Sequence, residues 1–198
     1  TDCPVAHPAL AALLAEARGR GADEVSLRVS AATGAATAMA HGGRGRAHIE
    51  GLPGHVAVGP SATLVEHVAG VPLRVSASAF FQSGPAAAEL LVATVRAACG
   101  DALAGGGSLL DAYGGGGLFA AALEAGLAPD RAVIVESSPS ACADARVNVP
   151  AATVHETPFE QWPPQPVDVV VADPARAGLG REAVAAVAAT GAARVVLV

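Results

Sequence analysis

The chain has 198 residues, of which 52% are hydrophobic, 15% charged and 3% aromatic, and its formal net charge is −6. This composition is too apolar and too weakly charged for a disordered chain. Charged residues or glycine interrupt every apolar run before it reaches the ~20 residues of a membrane span, and nothing resembles a signal peptide. Three scattered cysteines exclude a disulfide framework. We therefore expect a cytoplasmic, monomeric protein that does not associate with membranes.

Charge divides the sequence into two parts. Residues 1–80 carry six arginines and six acidic residues, whereas residues 81–198 carry six arginines and twelve acidic residues. The first part begins with a helical pattern and continues with short alternating strands such as 25–30, which predicts a partial helix followed by a small antiparallel β region. Within it, segment 41–48 has glycine-spaced arginines, Arg44 and Arg46, which predict either contact with RNA phosphates or a solvated loop.

The second part alternates helices with uniformly apolar strands. The predicted strands are 108–111, 132–136, 152–155, 167–172 and 194–198, and the predicted helices are 86–98, 118–125, 138–148 and 181–189. Uniformly apolar strands are covered on both faces, so the pattern predicts a doubly wound, Rossmann-like α/β sheet. The fifth strand reaches the last residue, and we therefore expect an incomplete sheet that belongs to a longer polypeptide.

A glycine loop joins the first strand of this sheet to the first helix. Gly114–Gly117 would let a ligand approach the backbone closely at a helix N-terminus, and Asp111 and Glu136 end the first two strands. An acid at the end of the second strand can accept hydrogen bonds from ribose hydroxyls. The dinucleotide fingerprint requires a third glycine three residues after the second. If the pattern begins at Gly114 this position holds Phe119, and if it begins at Gly115 it holds Ala120, a tolerated variant. Adenosylmethionine is therefore the preferred cofactor, and NAD stays as an alternative.

A second motif closes the fourth strand with the sequence Asp173-Pro-Ala-Arg176. Residues at this edge of a parallel sheet face the ligand crevice. Enzymes that methylate exocyclic amines carry an aromatic residue two places after the proline, where it stacks on the target base. Arg176 occupies that place, which argues against methylation of an amine.

Four blocks of this sequence resemble the RNA uracil-5-methyltransferases, the class I enzymes that form 5-methyluridine in ribosomal and transfer RNA. The blocks are Phe80-Phe-Gln82, Asp111-Ala-Tyr-Gly-Gly-Gly-Gly-Leu-Phe119, Val135-Glu136 with the helix that ends near Asn148, and Asp173-Pro-Ala-Arg-Ala-Gly178. The resemblance covers most of residues 72–198. It implies an adenosylmethionine-binding core over residues 81–198 and an RNA-facing accessory region over residues 1–80.

The resemblance also implies which residues bind S-adenosyl-L-methionine. Carried over by motif, they are Gln82, Tyr113, Gly115, Gly117, Glu136 and Asp173. Thr157 occupies a further position that can touch the cofactor. The sequence departs from the family at Gly114, where a cysteine is usual, and at Leu118, where an asparagine is common.

The family's catalytic chemistry uses residues that this sequence lacks. In the family, a cysteine thiolate adds to carbon 6 of uracil and a carboxylate later removes the proton from carbon 5. That cysteine lies in a Ser-Cys-Asn/Asp-Pro block just after the fifth strand, whereas this chain ends at Val198. We therefore expect no catalytic residue within these 198 residues, and cofactor binding without methylation.

The cysteines have other predicted roles. Cys3 resembles the last of four cysteines that hold an iron–sulfur cluster in members acting on ribosomal RNA, and it is therefore a candidate ligand together with three cysteines upstream. Cys99 and Cys142 lie in apolar helices, which predicts buried, unreactive thiols.

Three other functions stay open at this point. One is a class I methyltransferase that acts on a small molecule or a protein, and another is a module that binds the cofactor without catalysis. The third is a dehydrogenase, because the dinucleotide fingerprint tolerates an alanine at the position of Ala120.

Overall fold

The computed structural model describes residues 6–43, 47–82, 84–124 and 127–198, with the side chains of residues 128–130 excepted. They form two compact units. The first comprises the chain up to Glu66 and Arg74–Ser78, and the second comprises His67–Leu73 and Ala79–Val198. Across the described ranges, no helix is long and apolar enough to cross a membrane.

The first unit contains one helix and short strands. They are α1 (Pro8–Glu16), β1 (Arg18–Arg20), β2 (Glu24–Val29), β3 (Ala36–His41), β4 (His48–Glu50) and β5 (Ala57–Val58). Next along the chain, β6 (Thr63–Val68) and β7 (Val71–Ser76) form a two-stranded sheet whose residues are divided between the two units. Helix α1 begins at Pro8, where a missing N–H costs no hydrogen bond.

The predicted antiparallel β region is confirmed, with two differences. β2 pairs antiparallel with β3 and β1 with β4, but β3 and β5 form a short parallel pair. β1 and β4 were not predicted, because three residues are too few to establish an alternation of apolar and polar side chains. Arg44 and Arg46 lie outside the described residues.

The second unit is a parallel α/β sheet. Its elements are α2 (Pro85–Cys99), β8 (Gly107–Ala112), α3 (Leu118–Leu123), β9 (Leu127–Glu136), α4 (Pro139–Asn148), β10 (Thr153–Glu156), β11 (Val169–Ala172), α5 (Arg181–Ala189) and β12 (Arg194–Leu197). The strand order is β10-β9-β8-β11-β12, and all pairs are parallel. The predicted doubly wound sheet is confirmed.

Side chains alternate between two cores, one on each face of the sheet. Leu109 of β8 packs with α2 and α3, whereas its neighbour Leu110 packs with α5 and with Phe159 and Trp162. All four of these side chains are at most 2% exposed. Both faces are therefore covered, which explains why the strands have almost continuous apolar sequences.

The strand order reverses at β8, because the chain continues to β9 on one side and reaches β11 on the other. In open parallel sheets, ligands bind in the crevice at the carboxyl ends of the strands at such a reversal. At the opposite ends of β8 and β11, the N–H and hydroxyl of Ser108 both donate to Asp168 Oδ2 at 2.7 Å. These bonds hold the pKa of Asp168 below its usual value and fix the two strands side by side.

Candidate cofactor-binding site

A cavity of about 610 Å³ opens at the carboxyl ends of the central strands. Backbone and side chains from the ends of β8, β9 and β11 form its wall, together with the segment before α2. The lining residues are Phe80, Phe81, Gln82, Tyr113, Gly114, Gly115, Gly116, Leu118, Phe119, Glu136, Ala141, Asp173, Pro174, Ala175 and Arg176. The cavity therefore lies at the reversal of strand order.

The glycine loop turns sharply between β8 and α3. Gly115 and Gly117 have positive φ angles of 53° and 82°, and Tyr113 also has a positive φ of 58°. This conformation costs a residue with a side chain roughly 1–2 kcal/mol. Contacts of the Tyr113 side chain oppose that cost: its hydroxyl donates to Glu160 Oε1 at 2.5 Å, and its ring lies 5.2 Å from that of Phe159.

Strand β9 and helix α4 hold this loop at successive positions. Gly114 donates its N–H to the carbonyl of Val135 at 3.2 Å, and Gly115 donates to Glu136 Oε2 at 2.9 Å. The Asn148 side chain donates through Nδ2 to the carbonyl of Gly116 at 2.8 Å. Sequence reasoning named Asn148 only as the end of a helix in one motif block and gave it no role, because its contact with Gly116 is 32 residues away in sequence.

Gly117 has a different role from Gly115. It precedes α3, and a Cβ built on it would lie 3.2 Å from both Ile134 Cδ1 and Val149 Cγ2. Gly117 thus lets α3 begin close to β9 and α4, and it is not among the lining residues. At Gly115 a Cβ would meet no described atom within 4 Å, so its backbone is open to a ligand.

Three carboxyl groups concentrate negative charge at this strand edge. Asp111 is fully buried; its Oδ2 accepts from the N–H of Ala120 at 3.0 Å, and Oδ1 has no hydrogen-bond partner among the described residues. Burial raises the pKa of Asp111 to about 7, and the charges of Asp173 and Glu136 contribute to the same shift. Burial also raises the pKa of Asp173. Its Oδ2 accepts a long hydrogen bond, of 3.5 Å, from Gln82 Nε2.

Five of the six sequence-derived cofactor residues line the cavity. They are Gln82, Tyr113, Gly115, Glu136 and Asp173, whereas Gly117 packs behind the loop. Thr157 is not among the lining residues, and its N–H donates to the carbonyl of Glu136 at 2.9 Å.

Neither Cys99 nor Cys142 is among the residues that line the cavity. Cys3 lies outside the described residues. Cys99 and Cys142 are buried, as predicted, and burial raises the pKa of each thiol. Within the part of the chain that the structure describes, no three His, Cys, Asp or Glu side chains form a group that could hold a metal ion.

Comparison with known proteins gives relatives in both sequence and structure, although no protein-family model matches the chain. An uncharacterized RNA methyltransferase of Streptomyces coelicolor is 37% identical over 133 residues, which are 63% of this chain and 29% of the relative. One of Streptomyces avermitilis is 36% identical over 141 residues, 67% of this chain and 32% of the relative. The chain thus spans less than a third of the length of these curated relatives.

A solved structure shares the fold. The tRNA (uracil-54, C5)-methyltransferase of Pyrococcus abyssi, in complex with S-adenosyl-L-homocysteine, superposes with a TM-score of 0.65 at 22% identity. The match covers 86% of this chain and 48% of that chain. The fold is that of the class I methyltransferases.

Substitution of Gly114 tests how closely the glycine loop packs against β8 and β9. A Cβ there would lie 2.8 Å from Ile134 Cγ2 and 2.9 Å from the carbonyl oxygen of Asp111, closer than real Cβ atoms approach. We expect Gly114→Cys to lower the free energy of unfolding by about 1–3 kcal/mol, measured by urea denaturation. Gly116→Ala is the matched control, because its Cβ would be 3.6 Å from Asp144 Cβ. Equal stability of the two variants would contradict this packing.

The raised pKa of Asp111 predicts how stability changes with pH. Because its pKa rises from 3.8 to about 7 on folding, the folded chain binds more protons between these values. Protonation of Asp111 therefore adds its full contribution to the free energy of unfolding below about pH 4. This contribution is lost as pH rises from about 4 through 7, by at most about 1.4 kcal/mol per pH unit. Asp111→Asn should remove this slope in denaturation measured from pH 4 to 8. An identical slope in the variant would show that other groups cause it.

Proposed function

We propose that this chain is the cofactor-binding part of an adenosylmethionine-dependent RNA methyltransferase. In this proposal residues 81–198 form the cofactor-binding core and residues 1–80 form an accessory region that faces RNA. The observation that carries it is an acid-lined cavity at the strand-order reversal of a class I methyltransferase fold. Sequence similarity to two proteins named RNA methyltransferases supports the substrate class.

Charge favours adenosylmethionine over NAD. Adenosylmethionine carries a positive sulfonium and an ammonium group, whereas NAD carries a negative diphosphate. The charges of Asp173 and Glu136 contribute to the raised pKa of Asp111. The electrostatic potential at this strand edge is therefore negative, and it attracts cations and repels a diphosphate.

The residues of the chain have distinct parts in binding this cofactor, which supplies an electrophilic methyl group. Glu136 already accepts hydrogen bonds from the N–H groups of Gly115 and Ser138. Because a carboxylate has about four acceptor positions, it would also accept hydrogen bonds from the ribose hydroxyls. Gly115 would let the ligand approach the backbone. Gln82, Tyr113 and Asp173 would form the remaining walls, and Gly117 would keep α3 in place behind the loop.

We further propose that the reaction is methylation of carbon 5 of a uridine through a cysteine adduct at carbon 6. The resemblance in sequence motifs supports this, and so does Arg176, an exposed residue where amine-methylating enzymes place an aromatic ring. Residues 81–198 carry a net charge of −6, which disfavours binding to phosphates, so contact with the RNA backbone is assigned to residues 1–80. Cys3 as an iron–sulfur ligand would require three additional cysteines in the complete protein.

The proposed ribose contact predicts a loss of binding in Glu136→Ala. We expect this variant to bind S-adenosyl-L-homocysteine at least about tenfold more weakly, because it loses charge-assisted hydrogen bonds, as measured by titration calorimetry. Glu156→Ala is the control, since Glu156 is exposed and its partner is Arg146, 3.4 Å away. Unchanged affinity in Glu136→Ala would overturn the contact.

The uridine chemistry makes a prediction about the encoded sequence. The gene should continue beyond Val198 with a Ser-Cys-Asn/Asp-Pro block, in which the cysteine is the nucleophile. Sequencing the gene checks this directly. Another sequence at that point would contradict methylation at carbon 5 of uridine and would leave the cofactor site untouched.

A further inference from the structure

The last residue of α4 reaches the loop that forms the cofactor cavity. Asn148 is half-buried, and its Nδ2 donates to the carbonyl of Gly116, 32 residues away in sequence, at 2.8 Å. Gly116 itself lines the cavity. A contact between a helix end and a cavity-lining carbonyl links α4 directly to the ligand-facing backbone.

This contact matters because four consecutive glycines are costly to order. Glycine loses more backbone freedom on folding than other residues, and fixing one residue costs roughly 1–2 kcal/mol. Glu136 restrains the loop through the N–H of Gly115, whereas Asn148 restrains it through the carbonyl of the next residue. The two side chains thus hold, from β9 and α4, the two peptide groups of the loop that flank the Gly115–Gly116 peptide.

We propose that Asn148 is a positioning residue for the cofactor: it fixes the glycine loop in its ligand-binding conformation before the ligand arrives. The inference rests on the proposed adenosylmethionine site. Ordering the loop in advance raises affinity, because binding then does not have to order it. Asparagine suits this position because its amide donates a hydrogen bond, whereas an aspartate oxygen would repel the Gly116 carbonyl.

The packing around Gly116 supports the same role. A Cβ built on Gly116 would lie 3.6 Å from Asp144 Cβ and 3.7 Å from Asn148 Nδ2. Asp144 and Asn148 are four residues apart on α4, so they lie on one face of that helix. Both residues of that face therefore lie close to Gly116, and Asn148 is the one whose hydrogen bond to the loop carries the proposal.

Two variants and one control test the proposal. Asn148→Ala removes the donor and strengthens the intrinsic helix propensity of α4, so a weaker helix cannot explain a loss of binding. Asn148→Asp keeps the shape and replaces the donor by an acceptor. Val147→Ala is the control, because Val147 is 51% exposed and adjacent in the same helix.

We expect both Asn148 variants to bind S-adenosyl-L-homocysteine about tenfold more weakly than the wild type in calorimetry, the effect of one lost hydrogen bond. Without ligand, the amides of Gly115 and Gly117 should exchange with deuterium faster in both variants. Val147→Ala should change neither quantity. Wild-type affinity and wild-type exchange in Asn148→Ala would overturn the positioning role. If the wild type does not bind this ligand, the proposed cofactor is wrong, and amide exchange alone then decides whether Asn148 holds the loop.

Discussion

The hydrogen bond from the N–H of Gly115 to Glu136 is the interaction on which the rest of the site depends. It connects the end of the first core strand, β8, to the end of its neighbour β9. Because glycines have no side chains to hold them, the loop needs such restraints from outside. Close packing of Gly114 against Ile134 and of Gly117 against Val149 adds to it. The same carboxylate that shapes the loop also lines the cavity, so in the proposed site one residue would serve both folding and ligand binding.

Negative charge at the strand edge comes at a cost to stability and has a functional consequence. Asp111 is buried with one oxygen lacking a described partner, and its raised pKa measures how unfavourable its charge is there. An apolar residue would pack there at a lower desolvation cost. A strained, charged arrangement of this kind is typical of binding and catalytic sites. A cationic ligand would relieve the repulsion, which is why the charges support adenosylmethionine as the proposed cofactor.

The sequence predicted the core well, because its parallel strands are uniformly apolar and its loops contain glycine or proline. The four core helices and five strands of the second unit were all predicted, with β9 starting at Leu127 instead of residue 132. Strands β1 and β4 were missed because they are short and exposed. At the site, motif residues such as Glu136 and Asp173 could be identified by their place at strand ends. Asn148 and Glu160 could not, since their contacts with Gly116 and Tyr113 depend on tertiary packing.

The central claim is that the acid-lined cavity selects an adenosyl ligand that carries an ammonium group over one that carries a diphosphate. Titration calorimetry of this chain with S-adenosyl-L-homocysteine and, separately, with NAD tests it most directly. The account predicts saturable binding of S-adenosyl-L-homocysteine, whose ammonium group complements the carboxylates, and no measurable binding of NAD at the same concentrations. Tighter binding of NAD than of S-adenosyl-L-homocysteine would contradict it.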